Sequence, residues 1–187
     1  MNITLLTDTH NTSVRGATAI KYIAVHYTAG ETSKRGAARN VARWFANPKC
    51  KASADYIVDD YEAVRYNPNP KTRYCWAVGA TRKANNKGGS LWGKATNKNT
   101  VSVEICSSLK EGYPQQPNSA GWYFTDEVIA NAVELVKELM RTYRIPAENV
   151  IRHYDVTGKL CPGVIGWNED SKSTYQWQRF KKAIATD

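Results

Sequence analysis

Cysteine and histidine are scarce in this chain, which has four cysteines and three histidines among its 187 residues. The cysteines, at positions 50, 75, 106 and 161, are too few and too widely spaced for the disulfide framework of a small secreted protein. We therefore expect free thiols and one cysteine with a special role, while a bridge between Cys50 and Cys75 stays open.

Long apolar runs are also missing, so we expect no membrane-spanning segment and no membrane partner. The first residues, MNITLLTDTHNTSVRG, lack the basic and apolar regions of a signal peptide, which predicts synthesis in the cytoplasm without a leader. Hydrophobic residues make up 42% of the chain and charged residues 23%, as in ordinary globular proteins. Length and composition together predict one domain over residues 1–187.

Positive charge is in excess, with 26 lysines and arginines against 17 acidic residues and a net charge of +9. This excess favours a polyanionic partner such as a nucleic acid, an acidic membrane or an anionic cell wall. The basic residues are scattered, so a solvated basic surface and a docking face both stay open. A nucleic-acid partner is not expected, because the chain has neither a recognition motif nor a clustered basic stripe.

Segments whose apolar residues repeat with the period of a strand alternate with segments that have the period of a helix. Together they predict an α/β fold with a central mixed β-sheet flanked by α-helices. Residues 67–99 are rich in Pro, Gly, Asn and Lys and predict a long loop that forms a functional surface. Thr32 or Ser33 is expected to cap the first helix. The predicted strands cover 21–27, 54–66 (a hairpin turning at Asp59 and Asp60), 100–108 and 149–154, and the predicted helices cover about 33–46, 125–145 and 174–185.

The stretch IRHYDVTGKLCPG, residues 151–163, holds His153 and Cys161 at the two ends of a predicted loop. Zinc binds imidazole nitrogen and thiolate sulfur, and catalytic sites use three protein ligands. His26 is the candidate third ligand, because it lies on the strand face opposite Ile23 and Val25. A hydrogen-bonded core histidine and a small buried cysteine are the alternative interpretations.

Glu104 interrupts a β-branched strand, on the face that it shares with Ser102 and Cys106. One interpretation is an edge strand with a solvated polar face. The other is a carboxylate held on a rigid scaffold near the metal, where it accepts a proton from the attacking water.

Four motifs occur in order between residues 20 and 163: YIAVHYTA, WAVG, SVEIC and HYDVTGKLCPG. Together they resemble the zinc-dependent N-acetylmuramoyl-L-alanine amidases of phage and prophage lysins, which share a fold with the peptidoglycan recognition proteins. The resemblance implies that His26, His153 and Cys161 hold zinc (Zn²⁺). It also implies that Glu104 is the general base and that Lys159 stabilises the oxyanion.

The resemblance places a further catalytic residue at Tyr56, which would orient water or substrate. Two departures weaken this assignment, because many members have His where this chain has Asp55 and Ala77. Trp76 and Trp92 lie in predicted loops, where their rings could stack on sugars, although aromatics that cap a core edge would look the same.

The implied activity is hydrolysis of the amide bond between N-acetylmuramic acid and L-alanine in peptidoglycan, by an endolysin or autolysin that acts on the wall after release. The net charge suits a Gram-positive wall. We expect a monomer and see no separate wall-binding domain. Two alternatives share the scaffold: a non-catalytic peptidoglycan-binding module, and a cytoplasmic amidase that recycles muropeptides.

Overall fold

The structure is a computed structural model that describes residues 3–31, 34–79, 88–168 and 174–186. None of the helices in these ranges has the length and apolar character of a membrane span. The strands are β1 (Ile3–Leu5), β2 (Thr12–Val14), β3 (Tyr22–Glu31), β4 (Tyr56–Val58), β5 (Ala63–Arg65), β6 (Arg73–Cys75), β7 (Thr100–Leu109), β8 (Trp122–Tyr123) and β9 (Val150–Arg152). The helices are α1 (Ala37–Phe45), α2 (Asp126–Tyr143), α3 (His153–Thr157) and α4 (Tyr175–Ala185).

A seven-stranded mixed sheet forms the centre of the fold, in the order β1-β5-β4-β7-β3-β9 with β8 paired to β7. Neighbours β4, β7, β3 and β9 run parallel, whereas β4 and β5 form an antiparallel hairpin. A separate two-stranded sheet joins β2 to β6. This arrangement confirms the predicted α/β class and the hairpin at 54–66.

The two faces of the central sheet are covered differently. Val101, Val103 and Ile105 of β7 point towards α2 and α4 and belong to the largest core cluster. Cys106 packs with α1 on the other face. The alternation predicted for β7 is therefore confirmed, but β7 lies between β4 and β3, so the edge-strand interpretation of Glu104 is wrong.

Helix α2 follows the sequence rules closely. The Thr125 hydroxyl accepts a hydrogen bond from the Val128 amide, and Asp126 and Glu127 occupy the first turn, where they complement the helix dipole. The buried stripe consists of the predicted residues Val128, Ala132, Leu135, Val136 and Leu139.

Helix α1 begins later than predicted. It starts at Ala37, after Gly36, whose φ of 82° lies in the left-handed region that suits glycine. The cap comes from the hairpin instead, because the Asp59 carboxylate accepts a hydrogen bond of 3.0 Å from the Ala38 amide. Thr32 and Ser33, the predicted caps, lie outside the described residues.

Other differences from the predictions concern short elements and the cysteines. The loop at 67–99 contains β6 and a 3-10 helix at Asn97–Asn99, and the short strands β1, β2 and β8 were not predicted. Strands of two or three residues have too few positions to establish a period, which explains why the pattern misses them. The four cysteines all lie in the described residues and none of them forms a disulfide, so Cys50 and Cys75 are not bridged.

Candidate metal centre and active-site cleft

Strand register brings three functional side chains into one row. Val25 of β3 pairs with Arg152, the last residue of β9, so the next residues, His26 and His153, become neighbours. On the other side of β3, His26 pairs with Glu104 of β7. His153 begins α3 rather than ending a strand as predicted, which corrects its local structure but not its placement.

The chain then folds back to bring in Cys161. Helix α3 ends at Thr157, and the next residue, Gly158, reverses the chain with a φ of 73° in the left-handed region. The Tyr154 amide donates a 2.9 Å hydrogen bond to the Cys161 carbonyl, which holds the returning segment against the start of α3. Cys161 therefore lies beside His153 although eight positions separate them in sequence.

The three predicted metal ligands form one buried cluster. One nitrogen of His26, one nitrogen of His153 and the sulfur of Cys161 lie within 4.8 Å of one another. Nδ1 of His26 is 3.8 Å from Sγ of Cys161, and the two imidazole centroids are 4.8 Å apart. Nε2 of His26 is buried and has no hydrogen-bond partner among the described residues.

A metal ion fits this donor set. Ligands of a tetrahedral zinc ion, at bonds of about 2.0–2.3 Å, are separated by roughly 3.3–3.8 Å. The distance between His26 and Cys161, 3.8 Å, matches this separation, and the 4.8 Å limit for the whole cluster exceeds it by about 1 Å. Buried polar atoms without partners are costly, and an ion would give a partner to the one nitrogen of His26 that binds it. His153 makes a hydrogen bond with the backbone of Val78, which fixes its ring orientation in the way common for metal-binding histidines.

Burial and Lys159 set the protonation of the cluster. Burial lowers the pKa of His153 to about 3, aided by the Lys159 charge, and lowers the pKa of His26 well below its usual range. Both imidazoles are therefore neutral, with lone pairs free to bind a cation. Burial raises the pKa of the Cys161 thiol to about 12, so its proton must leave when a metal binds.

Glu104 is the carboxylate next to the cluster. Burial raises its pKa to about 8, and Lys159 opposes this rise. A carboxyl group with a raised pKa and a nearby cation site is typical of an acid–base residue, because a bound cation draws its pKa down towards the working range.

These residues share a cleft of about 230 Å³ whose walls come from several loops. Trp76 forms part of one wall and is 37% exposed, with its indole N–H donating to the Ser13 hydroxyl over 2.9 Å. Pro117 lines the cleft as well, and its carbonyl accepts a hydrogen bond from the Tyr27 hydroxyl. Lys159 is exposed and lines the same cleft.

Two predicted site residues lie elsewhere. Tyr56 is buried in the core with Val103 and shares a hydrogen bond with Tyr143, on the face of the sheet opposite Glu104, so its expected place in the site is wrong. Trp92 packs beside Gly88, in a segment that hydrogen-bonds to carbonyl groups of α3, and is not one of the described residues that line the cleft.

Sequence reasoning missed several contributors to the cleft. Tyr27 was placed on the core face, yet its ring is long enough to reach the cleft wall. A buried phenol needs a hydrogen-bond partner, which is the one sequence signal that pointed to a role for Tyr27. Ser53, Phe45 and Pro117 carried no such signal. Ala77, at a position where the resemblance favoured His, also lines the cleft.

A larger depression of about 430 Å³ lies between β8, the start of α2 and α4. It is lined by aromatic residues together with Lys110, Asp126 and Arg179, and contains none of the predicted ligands or catalytic residues. The small cleft, rather than this groove, carries the groups that can perform chemistry.

An α/β fold with a buried His–His–Cys cluster beside a carboxyl group defines a candidate metal-dependent hydrolase. The chain belongs to the N-acetylmuramoyl-L-alanine amidase family, whose profile matches residues 16–164. A probable N-acetylmuramoyl-L-alanine amidase of Bacillus licheniformis is 33% identical over 171 residues, which cover 89% of this chain and 41% of the relative. The N-acetylmuramoyl-L-alanine amidase CwlL of the same organism is 31% identical, and the match covers 88% of this chain and 41% of CwlL.

Solved structures agree with this family. The structure of PlyL superposes with a TM-score of 0.69 at 27% identity, covering 100% of this chain and 98% of PlyL. The catalytic domain of XlyA gives a TM-score of 0.67 at 26% identity, and the match covers 98% of this chain and 99% of the XlyA domain. The chain thus spans about two fifths of the length of the B. licheniformis relatives, and nearly all of these solved chains.

Proposed function

We propose that this chain hydrolyses the amide bond between N-acetylmuramic acid and L-alanine in bacterial peptidoglycan, using zinc. The observation that carries the proposal is the convergence of His26, His153 and Cys161 beside Glu104 in one cleft. Membership of a family named for this amidase, and relatives with the same name, support the choice of bond.

Zinc is the metal that the donor set favours. Two imidazoles and a thiolate suit a borderline-soft ion, whereas magnesium and calcium prefer oxygen ligands. Three protein ligands leave a coordination position for chemistry, as in catalytic zinc sites. When bound, zinc acidifies water and polarises a substrate carbonyl, and two neutral imidazoles with one thiolate keep a net charge of about +1 at the site.

Glu104 would handle the proton. Its carboxylate accepts a proton from the attacking water and then passes that proton to the amide nitrogen of L-alanine, which leaves as an amine. Glu104 lies on a central strand, whose pairing on both sides fixes the backbone from which the carboxylate extends. A rigidly placed base of this kind contributes about 10²–10⁴ in rate.

Lys159 and Trp76 would bind the substrate. The Lys159 ammonium lies at the cleft, where it can stabilise negative charge on the amide oxygen as the carbonyl is attacked. Trp76 offers one exposed ring at the wall of the cleft, to which a sugar or the lactyl group can pack.

The polymer itself is proposed to be a Gram-positive wall, reached after release from the cell. The net charge of +9 complements anionic wall polymers, and the named relatives come from Bacillus species. A monomer suffices, because one chain supplies all the ligands, the base and Lys159.

The test is release of new N-terminal alanine from purified Bacillus peptidoglycan by protein as isolated, chelator-treated and zinc-restored. We expect release that stops with chelator and returns with zinc. The Glu104→Gln variant, loaded with zinc, is the matched control and should release almost none. Wall binding without release would instead indicate a binding module, and cleavage confined to soluble muropeptides would indicate a recycling enzyme.

A further inference from the structure

We propose that Arg152 and Asp155 form a positioning pair that holds His153 and Cys161 in place for the metal. The inference rests on the proposed function, because it assumes that these residues bind zinc. Neither Arg152 nor Asp155 lines the cleft within the described residues, so both would act through the ligands they hold.

The contact between the two side chains is extensive. Nη2 of Arg152 lies 2.5 Å from Oδ1 of Asp155, and Nε lies 3.1 Å from both carboxylate oxygens. The same carboxylate accepts a hydrogen bond of 2.8 Å from the backbone amide of Arg152. Only 8% of the Arg152 side chain and 17% of the Asp155 side chain are exposed. This geometry closes the first turn of α3, the turn that begins with His153.

Arg152 also reaches the segment beyond Cys161. Its Nη1 donates a 2.5 Å hydrogen bond to the carbonyl of Trp167, which is buried in the main core. One guanidinium therefore ties the helix that carries His153 to the chain that leaves Cys161. The contact with Trp167 lies beyond residue 164, where the family match ends.

The C-terminal helix covers this pair. The Arg152 guanidinium lies 5.5 Å from the ring centroid of Trp177 on α4 and 5.1 Å from that of Tyr154. Trp177 in turn packs on Trp167, with ring centroids 5.6 Å apart. Helix α4 thus contributes to the support of the metal ligands although its residues do not line the cleft.

Charge gives the carboxylate a second role. Arg152 is buried next to His153 in the chain, and a buried positive charge disfavours a cation nearby. Asp155 neutralises it. Replacing Asp155 by Asn would leave the guanidinium uncompensated and would loosen His153 and Cys161, which lie at the two ends of this loop.

The experiment compares zinc dissociation constants for wild type, Asp155→Asn and Glu62→Gln, by competition with a chelator of known affinity well below the unfolding temperature. Glu62 is the control because it forms a two-bond pair with Arg39, at 2.7 and 2.9 Å, away from the cleft. We expect Asp155→Asn to weaken zinc binding about 10- to 100-fold and Glu62→Gln to change it less than about twofold.

Arg152→Lys is the second variant, and it replaces Asp155→Asn if that protein does not fold. A lysine keeps the charge but cannot bond two carboxylate oxygens and the Trp167 carbonyl together, so we expect a smaller loss, of about fivefold. Equal zinc affinity in wild type and both variants, or an equal loss in Glu62→Gln, would overturn the inference alone. A wild-type chain that binds no zinc would overturn the proposed function as well.

Discussion

The candidate metal centre has two halves that are built differently. His26 and Glu104 lie on neighbouring parallel strands in the middle of the sheet, and backbone ladders fix their register. His153 and Cys161 lie at the start of a short helix and at the end of its return loop, where side-chain contacts of Arg152 add to the backbone hydrogen bonds.

The difference teaches which substitutions the site should tolerate. A ladder is made by backbone groups, so the sheet half should resist changes in neighbouring side chains. The loop half has no strand ladder at Cys161, and besides its backbone hydrogen bonds it relies on a polar pair and packed aromatics. The ligands themselves, in either half, should be equally indispensable.

Removing one ligand from each half is the strongest test of the comparison. His26→Ala and Cys161→Ser should each weaken zinc binding by more than about 100-fold and abolish amide cleavage, since two ligands cannot hold the ion. Zinc content per chain after dialysis, measured by atomic emission, checks this. Full zinc retention in either variant would show that the halves do not share one ion.

Removing the base separates chemistry from metal binding. Glu104→Gln keeps the shape of the side chain and should lower kcat about 10²- to 10⁴-fold while zinc content stays at one per chain. Single-turnover release of alanine by zinc-loaded protein measures the effect. A rate within about threefold of wild type would exclude Glu104 as the general base.

The pH dependence of zinc binding should reveal the buried thiol. Burial raises the pKa of Cys161 to about 12, so binding must release its proton, and affinity should rise with pH by about tenfold per unit below that value. Both imidazoles are already neutral above pH 5, because burial lowers the pKa of His153 to about 3 and that of His26 well below its usual range.

Glu104 should make this slope steeper below pH 8. Burial raises its pKa to about 8, and a bound cation would draw off its proton too, so the wild-type slope should exceed that of Glu104→Gln. Zinc titrations between pH 6 and 8 give both slopes. Affinity independent of pH would mean that the thiol is ionised before the metal arrives.

The smallest effect on activity is expected from a substitution of Tyr56, which lies on the face of the sheet opposite Glu104. Tyr56→Phe loses the hydrogen bond with Tyr143 and should lower the free energy of unfolding by about 1 kcal/mol, without changing kcat/KM more than about twofold. Urea unfolding and the alanine-release assay measure the two quantities. A tenfold loss of kcat/KM at unchanged stability would show that Tyr56 takes part in catalysis.

The sheet half of the site could largely be predicted from the sequence. Alternation placed His26 opposite Ile23 and Val25, and it gave Glu104 the same face as Ser102 and Cys106, as observed. The register that pairs His26 with Glu104 could not be predicted, because it depends on which strands become neighbours.

The loop half was suggested by residue types alone. His153 and Cys161 were identified as a pair, but no periodic pattern showed that α3 begins at His153. Arg152 and Asp155 stand three apart in the same stretch, a spacing that pairs charges on a helix, yet the contact with Trp167 is tertiary and invisible in sequence. The prediction for Tyr56 is wrong because it followed a position in the family, whereas the strand register places Tyr56 beside Val103, on the face opposite Glu104.

The most direct measurement is zinc-edge anomalous diffraction from crystals of the zinc-loaded protein. We expect one strong peak per chain, about 2.0–2.3 Å from a nitrogen of His26, a nitrogen of His153 and the sulfur of Cys161. A peak that contacts only one half, or no peak between these residues, would contradict the claim that the strand and the loop share one catalytic metal.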